Sequence, residues 1–173
     1  REQVDEQVDV QVDVLAHGTT VATNALLERR GAKVALVTTT GFADVVEIAR
    51  QDRPSLYDPR ADRPEALVPR HLRFEVPGRL DAHGRELEPV DPAALSVGVH
   101  EVVEANVDAV AVVLLHADLD PSHEVAVAGA LRARGLDVTA SHELSPEPRE
   151  YERTSTAVAN AYQGEIPSSV PAA

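Results

Sequence analysis

The sequence predicts an α/β fold: a mainly parallel sheet with flanking helices and one small β-hairpin. Three observations predict it. Short apolar runs, Val34-Ala35-Leu36-Val37, Ala109 to Leu115 and Leu136 to Ala140, alternate with stretches of helical period. Runs that are apolar at every position suit strands covered on both faces, the environment of a parallel sheet. Asp91-Pro92 and Asp120-Pro121 each set a capping carboxylate before a proline, a helix-start signal that occurs twice.

The elements follow in order. Residues 1–13 carry a Gln-Val-Asp repeat and read as a low-complexity extension. Val8, Val10, Val12 and Val14 alternate with polar residues, so a strand is expected there, running into Leu15 and Ala16. Thr19 or Thr20 then caps a helix carrying Val21, Ala22, Ala25 and Leu26, which ends at Arg29-Arg30 before Gly31. Val34 to Val37 is a buried strand, Thr38 to Gly41 a polar turn, and Phe42 to Ala49 a short helix. Residues 50–70, rich in Pro, Asp and Arg, form the longest irregular stretch, the kind that is functional or an interface. Leu72, Phe74 and Val76 alternate. Asp81-Ala82-His83-Gly84 is a turn signal between Arg79-Leu80 and Glu86-Leu87, and together these suggest the hairpin. Helices are expected from Asp91 to about Ala105, from Asp120 to Gly135, and from Arg149 to Tyr162. The domain proper is expected to span 14–163, with 164–173 a flexible tail.

Composition narrows the function classes. The 173 residues carry a formal net charge of −13, 43% hydrophobic residues, and no Cys, Met or Trp. Zero cysteine excludes a disulfide scaffold, a thiolate zinc site and a cysteine nucleophile in this chain. Excess negative charge disfavours nucleic acid and anionic membranes as partners. No apolar run approaches the roughly 20 residues that a membrane helix needs. The chain opens on Arg1 with no secretory pattern, so a cytoplasmic segment from a longer or processed gene product is expected.

Ligands in parallel sheets sit beyond the carboxyl ends of the strands, so residues directly after strands are the candidates. His17-Gly18-Thr19-Thr20 opens a helix, with Thr23 and Asn24 one turn on. Its backbone N–H groups and hydroxyls suit an anion or a carbonyl, though on local physics alone ordinary helix capping is favoured. His116-Ala117-Asp118-Leu119-Asp120 with His123-Glu124 invites a metal, but Asp120 reads as a cap and His123-Glu124 as first-turn residues near the helix dipole. No metal ligand is assigned. Glu150-Tyr151-Glu152-Arg153-Thr154 is balanced between a solvated face, with Glu150 paired to Arg153-Thr154, and a helix facing a second lobe with Arg153 holding an anion. Thr38-Thr39-Thr40-Gly41-Phe42 with Asp44, then Arg50-Gln51-Asp52-Arg53-Pro54, is a weaker candidate.

Taken together, His17-Gly18-Thr19-Thr20-Val21-Ala22-Thr23-Asn24-Ala25-Leu26-Leu27-Glu28 resembles the signature segment of the hydantoinase A / 5-oxoprolinase family. Gly41-Phe42 with Asp44, Arg50-Gln51, Arg53-Pro54, Val68-Pro69-Arg70, Phe74-Glu75-Val76-Pro77, Pro121 with His123-Glu124, and Ser145-Pro146 follow in the expected order. Glu150 to Thr156 and Asn160-Ala161-Tyr162 complete it, so the resemblance covers about residues 14 to 162. It implies the N-terminal region of an actin/sugar-kinase-like (ribonuclease H-like) enzyme that uses ATP and Mg²⁺ to phosphorylate a ring carbonyl before hydrolysing a cyclic amide. Relatives that act as ATP-using subunits of acetone or acetophenone carboxylases supply one alternative, and a non-catalytic interaction module another.

By the same resemblance His17, Thr19 and Thr20 are expected to be catalytic. Gly18, Asn24, Thr39, Arg153 and Thr154 are expected to bind substrate or nucleotide. The implied partners are a small-molecule substrate, a hydantoinase B-type subunit or domain, and the C-terminal hydantoinase A region. The sequence also departs from the family pattern. No Asp-x-Gly-Gly-Thr phosphate motif precedes the His-Gly-Thr-Thr segment, Thr38-Thr39-Thr40 stands where a basic residue is common, and His116-Ala117-Asp118 replaces a hydroxyl- and aromatic-bearing stretch. The isolated chain is therefore expected to be inactive.

Overall fold

The computed structural model describes Asn24 and residues 26–52, 54–58, 60–61 and 63–164. The strand expected at 8–16, the His17 to Thr20 segment and the 164–173 tail beyond Gly164 lie outside them. Asn24, Leu26 and Leu27 are helical, and the expected stop at Gly31 follows.

Four strands make the main sheet: β1 (Val34–Thr39), β2 (Arg73–Val76), β5 (Ala109–Val113) and β6 (Asp137–Ala140). Their order is β2-β1-β5-β6 and every pairing is parallel. Every residue of β1 and β5 is buried, because these central strands are covered on both sides. The alternation along them builds two cores. Ala35, Val37, Val110 and Val112 face one layer, formed by helices α2 (Pro92–Glu104) and α3 (Ser122–Arg132), and pack with Val99, Val102, Val127 and Leu131. Val34, Leu36, Ala111 and Val113 face the other, where helix α5 (Glu150–Gln163) supplies Ala157, Val158, Ala161 and Tyr162. Two further helices are single turns, α1 (Val45–Ile48) and α4 (Ser141–Leu144).

The hairpin is β3 (Arg79–Leu80) paired antiparallel with β4 (Glu86–Glu88). Its turn is organised by Asp81, which accepts the Arg85 and His83 backbone N–H groups and the Arg85 guanidinium. The Arg85 N–H foremost, with those other donors, holds the Asp81 carboxyl down at about 2. The alternating Leu72-Phe74-Val76 segment does not belong to this hairpin. It turns through residues 70–72 and joins the main sheet as β2, with Val37 opposite Phe74 and Thr39 opposite Val76.

Two helix starts differ in detail. Asp91 caps α2 as expected, its carboxylate accepting Ala94 N–H at 2.9 Å. Asp120 lies one residue before the cap of α3, which falls on Pro121, and its side chain instead accepts Ser122 N–H at 2.9 Å. Lys33, the single lysine, closes the far end of α2. Its ammonium donates to the Ala105 and Asn106 carbonyls, matching a cation to the negative end of a helix.

Candidate functional site at the carboxyl edge of the sheet

The carboxyl end of β5 is held by side chains on every side. Leu115 N–H donates to Thr39 Oγ1 at 3.0 Å, tying β5 to the end of β1. Leu114 N–H donates to Glu124 Oε1 at 3.1 Å, and the Leu114 carbonyl accepts Arg153 Nη2–H at 2.6 Å. Thr39 and Arg153, both expected from sequence to bind a ligand, thus meet on neighbouring groups of one strand end. Past that point the chain turns through His116, whose φ of 60° is left-handed.

Arg153 is 1% exposed, which corrects the solvated-face alternative for Glu150 and Arg153. Its ion pair is not with Glu150 but with Asp118, 2.9 Å from Nη1, and the Glu147 carbonyl also accepts from Nη1. The reason is the position of Arg153 on the buried stripe of α5, with Ala157, Val158, Ala161 and Tyr162. Thr154 turns its hydroxyl back to the Glu150 carbonyl at 2.5 Å, a bond within the helix. Asn24 is exposed and engages Glu28 N–H through its backbone carbonyl. His17, Gly18, Thr19 and Thr20 lie outside the described residues.

A small crevice opens at this edge, lined by Thr38, Phe42, Val45, Leu115, Glu150 and Arg153 among others. Phe42 enters it from the turn after β1, where the Glu75 carboxylate accepts Gly41 and Ala43 N–H and fixes the loop. Arg50, further along, anchors to Glu152 on α5 at 2.8 Å, so the irregular stretch is tied to the same helix.

The 116–124 cluster disperses. Asp118 serves Arg153, Asp120 serves Ser122, and His123 Nε2 pairs with Glu86 of the hairpin at 2.7 Å. Glu124 lies in the first turn of α3, as expected, but it is also a fully buried hub, at 0% exposure. Its Oε1 accepts Leu114 N–H and Ser141 Oγ–H, and its Oε2 accepts His142 N–H and lies 2.6 Å from His142 Nδ1. Sequence reasoning missed this role although the signal was present. Glu124, Val127, Ala128 and Leu131 fall at i, i+3, i+4 and i+7, all on the buried face of α3.

The lining of this crevice does not fit a nucleoside triphosphate. The Arg153 charge is already balanced by Asp118, and the other ionisable side chain in the crevice is the acidic Glu150, so no net positive charge faces a phosphate. Among the described residues no group of three or more His, Asp or Glu is arranged to hold a metal ion. Nor is any helix long and apolar enough to cross a membrane.

The strand ends belong to an α/β module built on a parallel main sheet, and comparison with known proteins assigns the chain's family. The chain belongs to the hydantoinase/oxoprolinase N-terminal region family, whose description matches residues 1–135. It is 41% identical to the caprolactamase alpha subunit of Pseudomonas jessenii over 150 residues, covering 84% of this chain and 22% of that protein. It is 30% identical to the acetophenone carboxylase gamma subunit of Aromatoleum aromaticum, covering 91% of this chain and 24% of that one. The crystal structure of the ATP-dependent caprolactamase from Pseudomonas jessenii superposes with a TM-score of 0.78 over 84% of this chain and 22% of that one. Nucleotide-free acetone carboxylase superposes at 0.75 with 25% identity, over 83% and 22% respectively. The chain therefore spans under a quarter of each of these relatives.

Proposed function

We propose that this chain is the N-terminal region of an ATP-dependent cyclic-amide hydrolase, working with further domains or subunits. The observation that carries the reading is the 41% identity to a caprolactamase subunit, against 30% to a carboxylase subunit over a comparable length. In this reading the carboxyl edge of the sheet faces the substrate. Thr39, Arg153 and Thr154 contribute from the described residues, and by family resemblance His17, Gly18, Thr19, Thr20 and Asn24 are assigned to the reacting amide or the nucleotide. Hydrogen-bond donors fixed in place before reaction suit an amide carbonyl, on which negative charge grows as water attacks. ATP and Mg²⁺ belong to the reaction of the complete enzyme. The crevice lining does not fit the triphosphate, and this reading puts the triphosphate elsewhere in the complete enzyme, which by the same reading includes the C-terminal hydantoinase A region and a hydantoinase B-type partner.

The experiment is a comparison of substrates in the complete protein that carries this chain, with its partner subunit. Lactam-dependent release of ADP and the ring-opened amino acid, without any requirement for bicarbonate, is the expected result. Bicarbonate-dependent ATP turnover with acetone or acetophenone, and none with lactams, would replace this reading with the carboxylase one.

A further inference from the structure

We propose that His142 is the proton-sensitive member of a clamp that positions Arg153, acting through Glu124 and the backbone of Leu114. The clamp deepens the hydrolase reading and rests on it only for the reaction it serves.

Topology makes this strand end the place where such a device matters. β1 and β5 are neighbours, and their connections leave in opposite directions, toward β2 on one side and β6 on the other. Parallel sheets bind ligands beyond the strand ends at that reversal. Leu114 lies one residue past β5, beyond the last positions paired with β1 and β6. Its N–H goes to Glu124 on α3, and its carbonyl takes Arg153 Nη2–H from α5. These helices belong to the cores on opposite faces of the sheet, so both layers grip one residue.

The Glu124 carboxylate stands in for strand pairing. Past Val112 and Ala140, the last paired residues of β5 and β6, it joins Leu114 N–H to His142 N–H. A carboxylate without exposed area is costly to keep charged unless a cation lies against it. Among the described residues His142 is its one ion-pair partner, with Nδ1 at 2.6 Å, and imidazole is a cation only while protonated. Loss of that proton leaves Glu124 a buried anion held by neutral donors. Its hold on Leu114 changes, and the Leu114 carbonyl passes the change to Arg153.

The ring is also placed to exchange a proton. Its side chain keeps 15% exposure, and Nε2 looks outward to Glu143 at 3.9 Å, which Arg132 holds at 2.6 Å. The other charged groups around it are engaged or distant. β5 carries none, and Asp137 sits at the opposite end of β6. On α5, packed against α4, Arg153 and Glu152 are engaged by Asp118 and Arg50, and no α5 side chain forms an ion pair with His142 among the described residues. His116 and Asp118 lie on the turn after β5, on the Arg153 side of the clamp.

The test is a ¹⁵N NMR series on the 173-residue chain, run from about pH 5 to 8, the interval in which histidine ordinarily changes charge. It follows the His142 ring, the Leu114 amide and the Arg153 Nε–H. All three are expected to move with one midpoint, which belongs to the coupled pair. His142→Asn keeps an amide donor for Glu124 but does not titrate, and in it the Leu114 and Arg153 movements are expected to vanish. A titrating ring beside a still Leu114 amide overturns the proposal, and so does a ring that does not titrate. Movement that persists in His142→Asn overturns it as well and assigns the effect to another group, such as His116. In the complete protein, kcat for lactam hydrolysis is expected to fall about tenfold as pH rises through that midpoint, and His142→Asn to flatten the limb. A profile that His142→Asn leaves unchanged overturns the positioning role. Coupled NMR shifts with no lactam hydrolysis remove the functional reading and leave the clamp.

Discussion

Replacing Gly31 with alanine is expected to destabilise the fold by about 3 kcal/mol, lowering the melting temperature by about 9 °C. A Cβ at Gly31 would overlap the Tyr162 ring carbons and the Tyr162 carbonyl oxygen. Tyr162 is itself buried in the core between the sheet and α5, and its carbonyl accepts Ala32 N–H at 2.9 Å. Neither side has room to yield. The ring is packed, and moving the carbonyl breaks the bond that ties the segment before β1 to the end of α5. A thermal melt of the single variant, and of Gly31→Ala combined with Tyr162→Ala, checks this. The second change is expected to recover only part of the loss, since the backbone overlap remains. A Gly31→Ala melt matching that of the unaltered chain would show that the contact does not constrain the fold.

Glu124→Ala is expected to cost about 4 kcal/mol, the range found when one partner is removed from a buried polar or ionic set. Four contacts end on that carboxylate, and its donors are buried or mostly covered. Leu114 N–H sits at the strand end, Ser141 is 1% exposed, and the His142 ring is mostly covered. Glu124→Gln retains one acceptor oxygen but turns an NH₂ toward donors, so about half the loss is expected. Urea unfolding midpoints for the two variants and for Ser141→Ala, where about 1 kcal/mol is expected, test the ranking. Equal midpoints for Glu124→Ala and Ser141→Ala would mean that the hub is not shared as its geometry states.

These two residues mark where sequence reading succeeds and where it stops. The central strands were legible because β1 and β5 are apolar at every position, a pattern that only double-sided cover explains. Asp91 was legible because capping is local chemistry, complete within four residues. The placement of β2 was not. Alternation at Leu72, Phe74 and Val76 says that one face is buried, but nothing local says that the partner is β1, more than thirty residues away, rather than the adjacent hairpin. Sequence left Arg153 balanced between a solvated face and an anion-holding role and read Glu124 only as a first-turn residue near the helix dipole, while their positions on apolar helical stripes pointed inward. Position on the stripe outranks residue type when the charge finds partners, as Asp118 and the end of β5 provide. The Gly31 contact was beyond reach, since it joins the start of the described chain to its last helix.

The candidate site divides the same way. Thr39 was placed at the sheet edge by the rule that ligands lie beyond strand ends, while Arg153 entered through its helix and the family resemblance, and the two meet on the end of β5. The balancing partner of Arg153, Asp118, and the buried Glu124 hub beside it, emerge only from packing.

If this chain serves a cyclic-amide hydrolase as proposed, its His17 to Thr20 segment acts on the reacting amide. The most direct measurement is ATP-dependent lactam hydrolysis by the complete protein carrying His17→Ala and Thr20→Ala, with folding confirmed by circular dichroism. A kcat lowered by about 100-fold or more is the expected result. Full hydrolysis by the double variant would contradict it.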